Sequence, residues 1–241
     1  MAALLALDRV SKSFGTLLVI DQLTLHVDAG EALGVIGPNG AGKTTMLNLI
    51  AGRLRPDRGS VGFDGRDITT APPHHRCRAG IALTYQIPHP FGGMTVFENV
   101  LVGAAYGRSR SERDSYAGCA AALTLTGLAP KANSLAGSLT LLERKRLELA
   151  RALATEPRLL LLDEIAGGLT EPEIHALVAV IKSIRARGVS IIWIEHIVHA
   201  LRSVVDRLVV INFGSTLVEG KPDEVMASPE VQKVYLGIDV E

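Results

Sequence analysis

The sequence predicts an α/β protein with a mainly parallel sheet, an antiparallel β region at its start and a helical insert at about 88–155. Three observations carry that expectation. Apolar runs at Ala32–Ile36, Leu159–Leu162 and Val189–Ile194 have the length and composition of strands buried on both faces. Helical patterns lie between such runs, and strand–helix–strand alternation builds a parallel sheet with helices on its faces. Ahead of them, Leu17–Ile20 and Leu23–Val27 alternate with polar residues between turn signals at Gly15 and Gly30, as antiparallel strands do.

Bulk properties narrow the class. The 241 residues suit one large domain, 1–241, carrying the insert. With 47% hydrophobic and 21% charged residues there is ample material for a core. A formal net charge of zero argues against a protein held mainly by nucleic-acid phosphates. No run reaches the ~18 consecutive apolar residues of a spanning helix. Met1–Leu7 is apolar but has no basic start and breaks at Asp8 and Arg9, so it reads as a first strand and not a signal peptide. Cys77 and Cys119 lack Cys-x-x-Cys spacing, and a reduced cytoplasmic compartment is the simple reading.

Each later element has its own signal. Met46, Leu47, Leu49 and Ile50 predict a helix over Lys43–Ala51, stopped by Gly52. Inside the insert, Val96–Ala105 and Tyr116–Leu128 have helical patterning, and a helix at about Leu139–Thr155 is stopped by Pro157. Thr170-Glu171-Pro172-Glu173 has the form of a capping box. Ile174, Leu177, Val178, Ile181 and Ile184 follow it at helical spacing, and Gly188 ends the helix. Functional groups in open α/β sheets lie beyond the carboxyl ends of strands. Here those ends lead into Gly37, Asp163 and Glu195-His196.

Gly37-Pro38-Asn39-Gly40-Ala41-Gly42-Lys43-Thr44 matches G-x-x-x-x-G-K-T. A triphosphate needs backbone amides aimed at its oxygens, and glycine lets the chain come close. The amides of Gly37, Asn39, Gly40, Ala41, Gly42 and Thr45 are candidates, with the positive end of the helix behind them. Lys43 supplies a charge for the β/γ oxygens, and Thr44 a hydroxyl for Mg²⁺. A glycine-rich turn that binds nothing is the competing reading, disfavoured by the strand before and the helix after. Asp163, at the end of a leucine run, is placed for the Mg²⁺ shell, and Glu164 to orient or deprotonate water. The implied ligands are ATP and Mg²⁺.

These residues resemble those of ABC-transporter ATPases, most closely the type that powers branched-chain amino acid uptake. The similarity runs from the Phe14 region to the end. It includes Asp28-Ala29-Gly30-Glu31, Ile36-Gly37-Pro38-Asn39-Gly40, Gly80-Ile81-Ala82, Tyr85-Gln86, Thr95-Val96-Phe97-Glu98-Asn99-Val100, Glu219-Gly220-Lys221-Pro222 and Tyr235-Leu236-Gly237. The resemblance implies a P-loop NTPase core, ATP hydrolysis, transmembrane permease partners, a second ATP-binding subunit and a peripheral place on the cytoplasmic face of the inner membrane. It also implies that Phe14 stacks on adenine, that Gln86 touches Mg²⁺ or water, and that His196 contacts the γ-phosphate. By residue type alone Phe14 is equally an ordinary turn or core residue, Gln86 a surface amide and His196 a structural histidine. His196 and His199 form an H-x-x-H pair, but zinc needs more ligands and another geometry. His74-His75 reads as a solvated loop. Related readings are a lipid or drug exporter and a non-transport ABC ATPase. The latter needs a coiled-coil insert or a second cassette.

The resemblance breaks at one motif. Where the family has Leu-Ser-Gly-Gly-Gln, this chain has Leu139-Thr140-Leu141-Leu142-Glu143, aligned by the matching Arg144–Leu153 that follows. In the family this segment opens a helix against an ATP held by the partner subunit, and leucine side chains oppose close backbone approach. Ile165 replaces a frequent proline, and Thr170 an Asp or Asn. A heterodimer is therefore favoured over a symmetric homodimer.

Overall fold

Alternating apolar residues from Leu5 onward close into a long hairpin, β1 (Leu5–Phe14) and β2 (Leu17–Val27), turning at Gly15. This computed structural model describes residues 3–108 and 111–236. The runs Leu17–Ile20 and Leu23–Val27 belong to one strand and not two. An irregularity absorbs the polar pair between them: Gln22 has φ 44°, and its amide donates to Ser11 Oγ at 3.0 Å. Next come β3 (Ala32–Ile36), α1 (Lys43–Ala51), β4 (Arg58–Phe63) and the short β5 (Arg66–Asp67). Every residue of β3 is buried. α1 stops because Gly52 turns left-handed (φ 77°), its amide donating to Asn48 and Leu49 carbonyls. β4 pairs with β1, and β5 with β4, completing an antiparallel sheet.

Met1–Pro73 and Ser190–Glu241 make up one compact unit, and His74–Val189 another. The second contains α2 (Pro73–Ala79) apart from its first residue, β6 (Ile81–Leu83), α3 (Val96–Arg108), α4 (Glu112–Leu125), α5 (Leu141–Leu153), β7 (Leu159–Asp163) and α6 (Glu171–Arg185). The strands β6 and β7 are parallel, with Ile81 opposite Leu159. Between 88 and 155 the regular elements described are α3, α4, α5 and two single 3₁₀ turns. Their shared core holds Val96, Val100, Cys119, Leu123, Leu147 and Ala150. α3 crosses α5 closely at Gly103, where a Cβ would stand 2.7 Å from the Arg151 carbonyl oxygen.

Several boundaries differ from expectation. α4 begins four residues before Tyr116, because Ser111 caps it by accepting the Asp114 amide. α4 also ends at Leu125, before the left-handed Gly127. α5 begins at Leu141 and not Leu139, because Thr140 and Glu143 form a capping box there. His74 and His75 stand exposed on α2, not in a loop: seven consecutive residues from Pro73 are helical. On α6, the Glu173 carboxylate accepts from the amide and the hydroxyl of Thr170.

The first unit resumes with β8 (Ser190–Ile194), α7 (Val198–Arg202), β9 (Arg207–Asn212), β10 (Ser215–Gly220), α8 (Pro222–Met226) and α9 (Pro229–Leu236). β3 lies between β8 and β9 and is parallel to both, with Val35 opposite Ile194 and Ile36 opposite Val210. β10 returns antiparallel to β9. The Arg207 guanidinium donates to Glu31 at 2.7 Å and also bonds Glu219 and the His26 carbonyl. One partly buried cation thus joins β2, β9 and β10.

Candidate active site

In the first unit, β3 ends at Ile36 and the chain enters the glycine-rich loop. Its glycines are required by space as well as by φ. A Cβ on Gly37 would stand 2.1 Å from the Ile211 carbonyl oxygen. One on Gly42 would meet Ile20 Cδ1 at 2.7 Å and the Val19 carbonyl oxygen at 2.8 Å, and Gly42 holds φ 98°. Gly40 (φ 82°) faces open space. The loop is braced by Ala41 N to Pro38 O at 3.2 Å and by Gly214 N, from the β9–β10 turn, to Ala41 O at 3.1 Å. Lys43 is buried, and its ammonium donates to Gly37 O at 2.7 Å and Pro38 O at 3.0 Å. The cation therefore curls back over the loop that precedes it. Asn39 and Thr44 are exposed, and Thr45 partly so.

β8 brings His196 to the same edge. Val35 and Ile194 are opposite each other on parallel strands, so Gly37 and His196 are each two residues beyond that pair. His196 is exposed, and its amide donates to the buried Glu195 carboxylate at 2.9 Å. Phe14 ends β1, about half exposed, with Lys12 Nζ 5.7 Å from its ring centroid. β2, which continues from that hairpin, supplies the Val19 and Ile20 atoms packed at Gly42.

In the second unit, parallel β6 and β7 end side by side. The Thr84 amide donates to Leu161 O at 2.9 Å, and two residues later Gln86 Nε2 donates to Glu164 Oε2 at 2.6 Å. Asp163 is the last residue of β7. Glu164 has φ 46°, a left-handed conformation that is uncommon and strained for a side chain of this size. Strain of that kind clusters at functional positions. The next residue, Ile165, is buried.

The loop fits a triphosphate. Gly42 gives α1 no side-chain cap, and the first turn of α1 has no acidic residue. The positive helix end is thus left to an anion. Among the described residues no three His, Cys, Asp or Glu side chains cluster as metal ligands. Sequence reasoning missed Gly214, whose amide braces the loop, and the close approach of the Ile211 and Val19 carbonyls to Gly37 and Gly42, backbone atoms that any residue would offer. It also missed Lys145, buried on α5, whose ammonium donates to the Gln86 carbonyl at 3.2 Å. A lysine in a charged run gives no signal of that contact.

A family model described as ABC transporter matches residues 20–167, and one described as branched-chain amino acid ATP-binding cassette transporter matches residues 215–241. The high-affinity branched-chain amino acid transport ATP-binding protein BraF of Pseudomonas aeruginosa is 36% identical, over 97% of this chain and 98% of its own. The lipopolysaccharide export system ATP-binding protein LptB of Acidithiobacillus ferridurans is also 36% identical, over 98% of each. Among solved structures, a nucleotide-free ATP-binding cassette from an ABC transporter matches with a TM-score of 0.90 and 29% identity, covering 98% of this chain and 100% of that one. A cassette in its ADP conformation matches with the same TM-score and identity. No helix among the described residues is long and apolar enough to cross a membrane. The chain belongs to the ABC transporter family, as an ATP-binding and ATP-hydrolysing subunit with the P-loop NTPase fold.

Proposed function

We propose that this chain powers import of branched-chain amino acids, hydrolysing MgATP on the cytoplasmic face of the inner membrane beneath separate permease subunits. The observation that carries the solute class is the match of residues 215–241 to the branched-chain amino acid cassette model. The 36% identity to LptB supports a second reading, lipid export. In the proposed chemistry the amides of Gly37, Asn39, Gly40, Ala41, Gly42 and Thr45 receive the phosphate oxygens, and Lys43 neutralises them. Phe14 stacks on the adenine. Thr44 and Asp163 would hold Mg²⁺, which polarises the phosphoryl group when bound, with Gln86 facing the metal or the water. Glu164 takes the proton of the attacking water, and His196 contacts the γ-phosphate. The 88–155 segment is the helical subdomain of this single ABC domain.

The test is ATP turnover by the chain assembled with its permease subunits in lipid vesicles. Stimulation by a solute-binding protein loaded with leucine, isoleucine or valine is the expected result. Stimulation by lipopolysaccharide, with no response to the amino acids, overturns the import reading.

A further inference from the structure

The segment after β6 has exposed side chains and a pinned backbone. Ile87 and Phe91 are 66% and 46% exposed. Yet three residues of α5, spaced three apart, bond the main chain beneath them. Lys145 donates to the Gln86 carbonyl at 3.2 Å. Glu148 accepts the His89 amide at 3.0 Å, and Arg151 donates to the His89 carbonyl at 3.1 Å. Arg151 also bonds Glu148 at 2.9 Å and lies 5.2 Å from the Phe91 ring centroid. At the far end, the fully buried Asn99 of α3 accepts the Phe91 amide at 2.8 Å and donates to its carbonyl at 3.1 Å.

Lys145 and Glu148 are only 4% and 5% exposed. Taking an ammonium out of water costs several kcal/mol before its partners are counted. A methionine would fill the same space without that penalty, so packing alone does not account for the lysine. The carbonyl it grips belongs to Gln86, whose side chain reaches Glu164. An ionised carboxylate only accepts hydrogen bonds, so the Gln86 amide nitrogen faces it. The Gln86 Oε1 atom is then directed elsewhere.

We propose that Lys145 is a positioning residue for hydrolysis: by fixing the Gln86 backbone from α5, it sets the side-chain donor that holds the Glu164 carboxylate in place. Glu148 and Arg151 hold the same segment at its next fixed point. α5 also begins at the altered motif, so the helix that opens with Thr140-Leu141-Leu142 carries the contacts that place the base. This inference rests on the reading of Glu164 as the base.

A double-mutant cycle in the assembled transporter tests it. Lys145→Met should lower kcat about 10- to 100-fold, the scale of a small misplacement of a catalytic group, with KM for MgATP changed less than about twofold. In a Gln86→Ala background the same substitution should lower kcat no further, because the positioned side chain is gone. Lys145→Arg, which keeps a donor, should recover part of the loss. Equal losses from Lys145→Met with and without Gln86 overturn the positioning role, since they show that the lysine does not act through that side chain. An unchanged kcat for Lys145→Met overturns it as well. If Gln86→Ala and Glu164→Gln both leave kcat unchanged, the base assignment itself has failed. Should Lys145→Met not fold, Lys145→Leu, which also removes the donor, takes its place in the same cycle.

Discussion

Lys43 shows how a single residue can be held in place by its own loop. Its ammonium is buried on two carbonyl oxygens of its own loop, so its position is defined and little side-chain freedom remains to be lost. Charge-assisted hydrogen bonds contribute about 1.5–3 kcal/mol each. Lys43→Ala should therefore weaken ATP binding about 10- to 100-fold by titration calorimetry. Unchanged affinity would remove the loop from the nucleotide site. Glu164 calls for a different substitution. Glutamine at this position still offers an oxygen to the Gln86 amide, now 2.6 Å from Glu164 Oε2, so the local arrangement should persist. An amide cannot take a proton from water. Glu164→Gln should keep nucleotide binding and lower single-turnover hydrolysis by on the order of 10²–10⁴-fold. Hydrolysis at the parent rate would dismiss Glu164 as the base.

At the scale of elements, the N-terminus of α5 joins a cap to a charge pair. Glu143 accepts the Thr140 amide at 3.0 Å, while its other oxygen meets Lys131 Nζ at 2.5 Å. The Lys131 ammonium, and then the Thr140 amide, hold the Glu143 carboxyl below the usual glutamate range. A carboxyl held low only in the folded chain stabilises the fold above its unfolded-state value, about 4.3. That contribution fades as pH falls through the lowered value. Carbon-detected NMR titration should place the Glu143 midpoint below that of a free glutamate, and Lys131→Ala should raise it. Identical midpoints in the two proteins would exclude Lys131 as the main cause.

This helix also shows where sequence stops being informative. Ala32–Ile36 and Lys43–Ala51 are legible to the residue, because burial on both faces and a left-handed glycine stop are local properties. The Glu143 and Thr140 pairing is local as well, yet the α5 start was displaced by two residues because Leu139 looks like a helix residue until the cap is seen. The grip of Lys145 on Gln86 spans 59 positions and depends on how α5 packs. No spacing rule reaches that far. The sequence places Glu164 just after the leucine run and Asp163, but nothing in it signals the strained φ found there.

For the whole molecule, the decisive question is what it assembles with, and Leu141 and Leu142 give a testable answer. In the family one subunit supplies the phosphate loop and its partner supplies the Leu-Ser-Gly-Gly-Gln segment. This chain has the loop, Asp163, Glu164, Gln86 and His196, but leucines where two glycines belong. Leu141 is 42% exposed, and its Cδ2 stands 3.2 Å from the place a Cβ on Gly168 would take. The leucine thus covers the loop that follows Glu164 while leaving part of its apolar surface at the start of α5. Close approach of a phosphate to the first-turn amides is opposed by that surface, and the Glu143 carboxylate already takes the Thr140 amide. We therefore propose a heterodimer in which this chain's own loop, completed by an intact partner segment, turns over ATP. The partner's loop, closed by Leu141 and Leu142, holds it. Replacing both leucines by glycine should raise turnover at the partner's site by about 100-fold or more, the scale of restoring one oxyanion donor. The gain should vanish in a parallel sample whose partner carries disabled catalytic residues. Two glycines in the first turn of α5 should also lower Tm by a few degrees, since each costs about 0.5–1 kcal/mol in a helix. Partner-site turnover that stays at the parent level after restoration would show that the leucines point away from the phosphate, and the proposed asymmetry would fail.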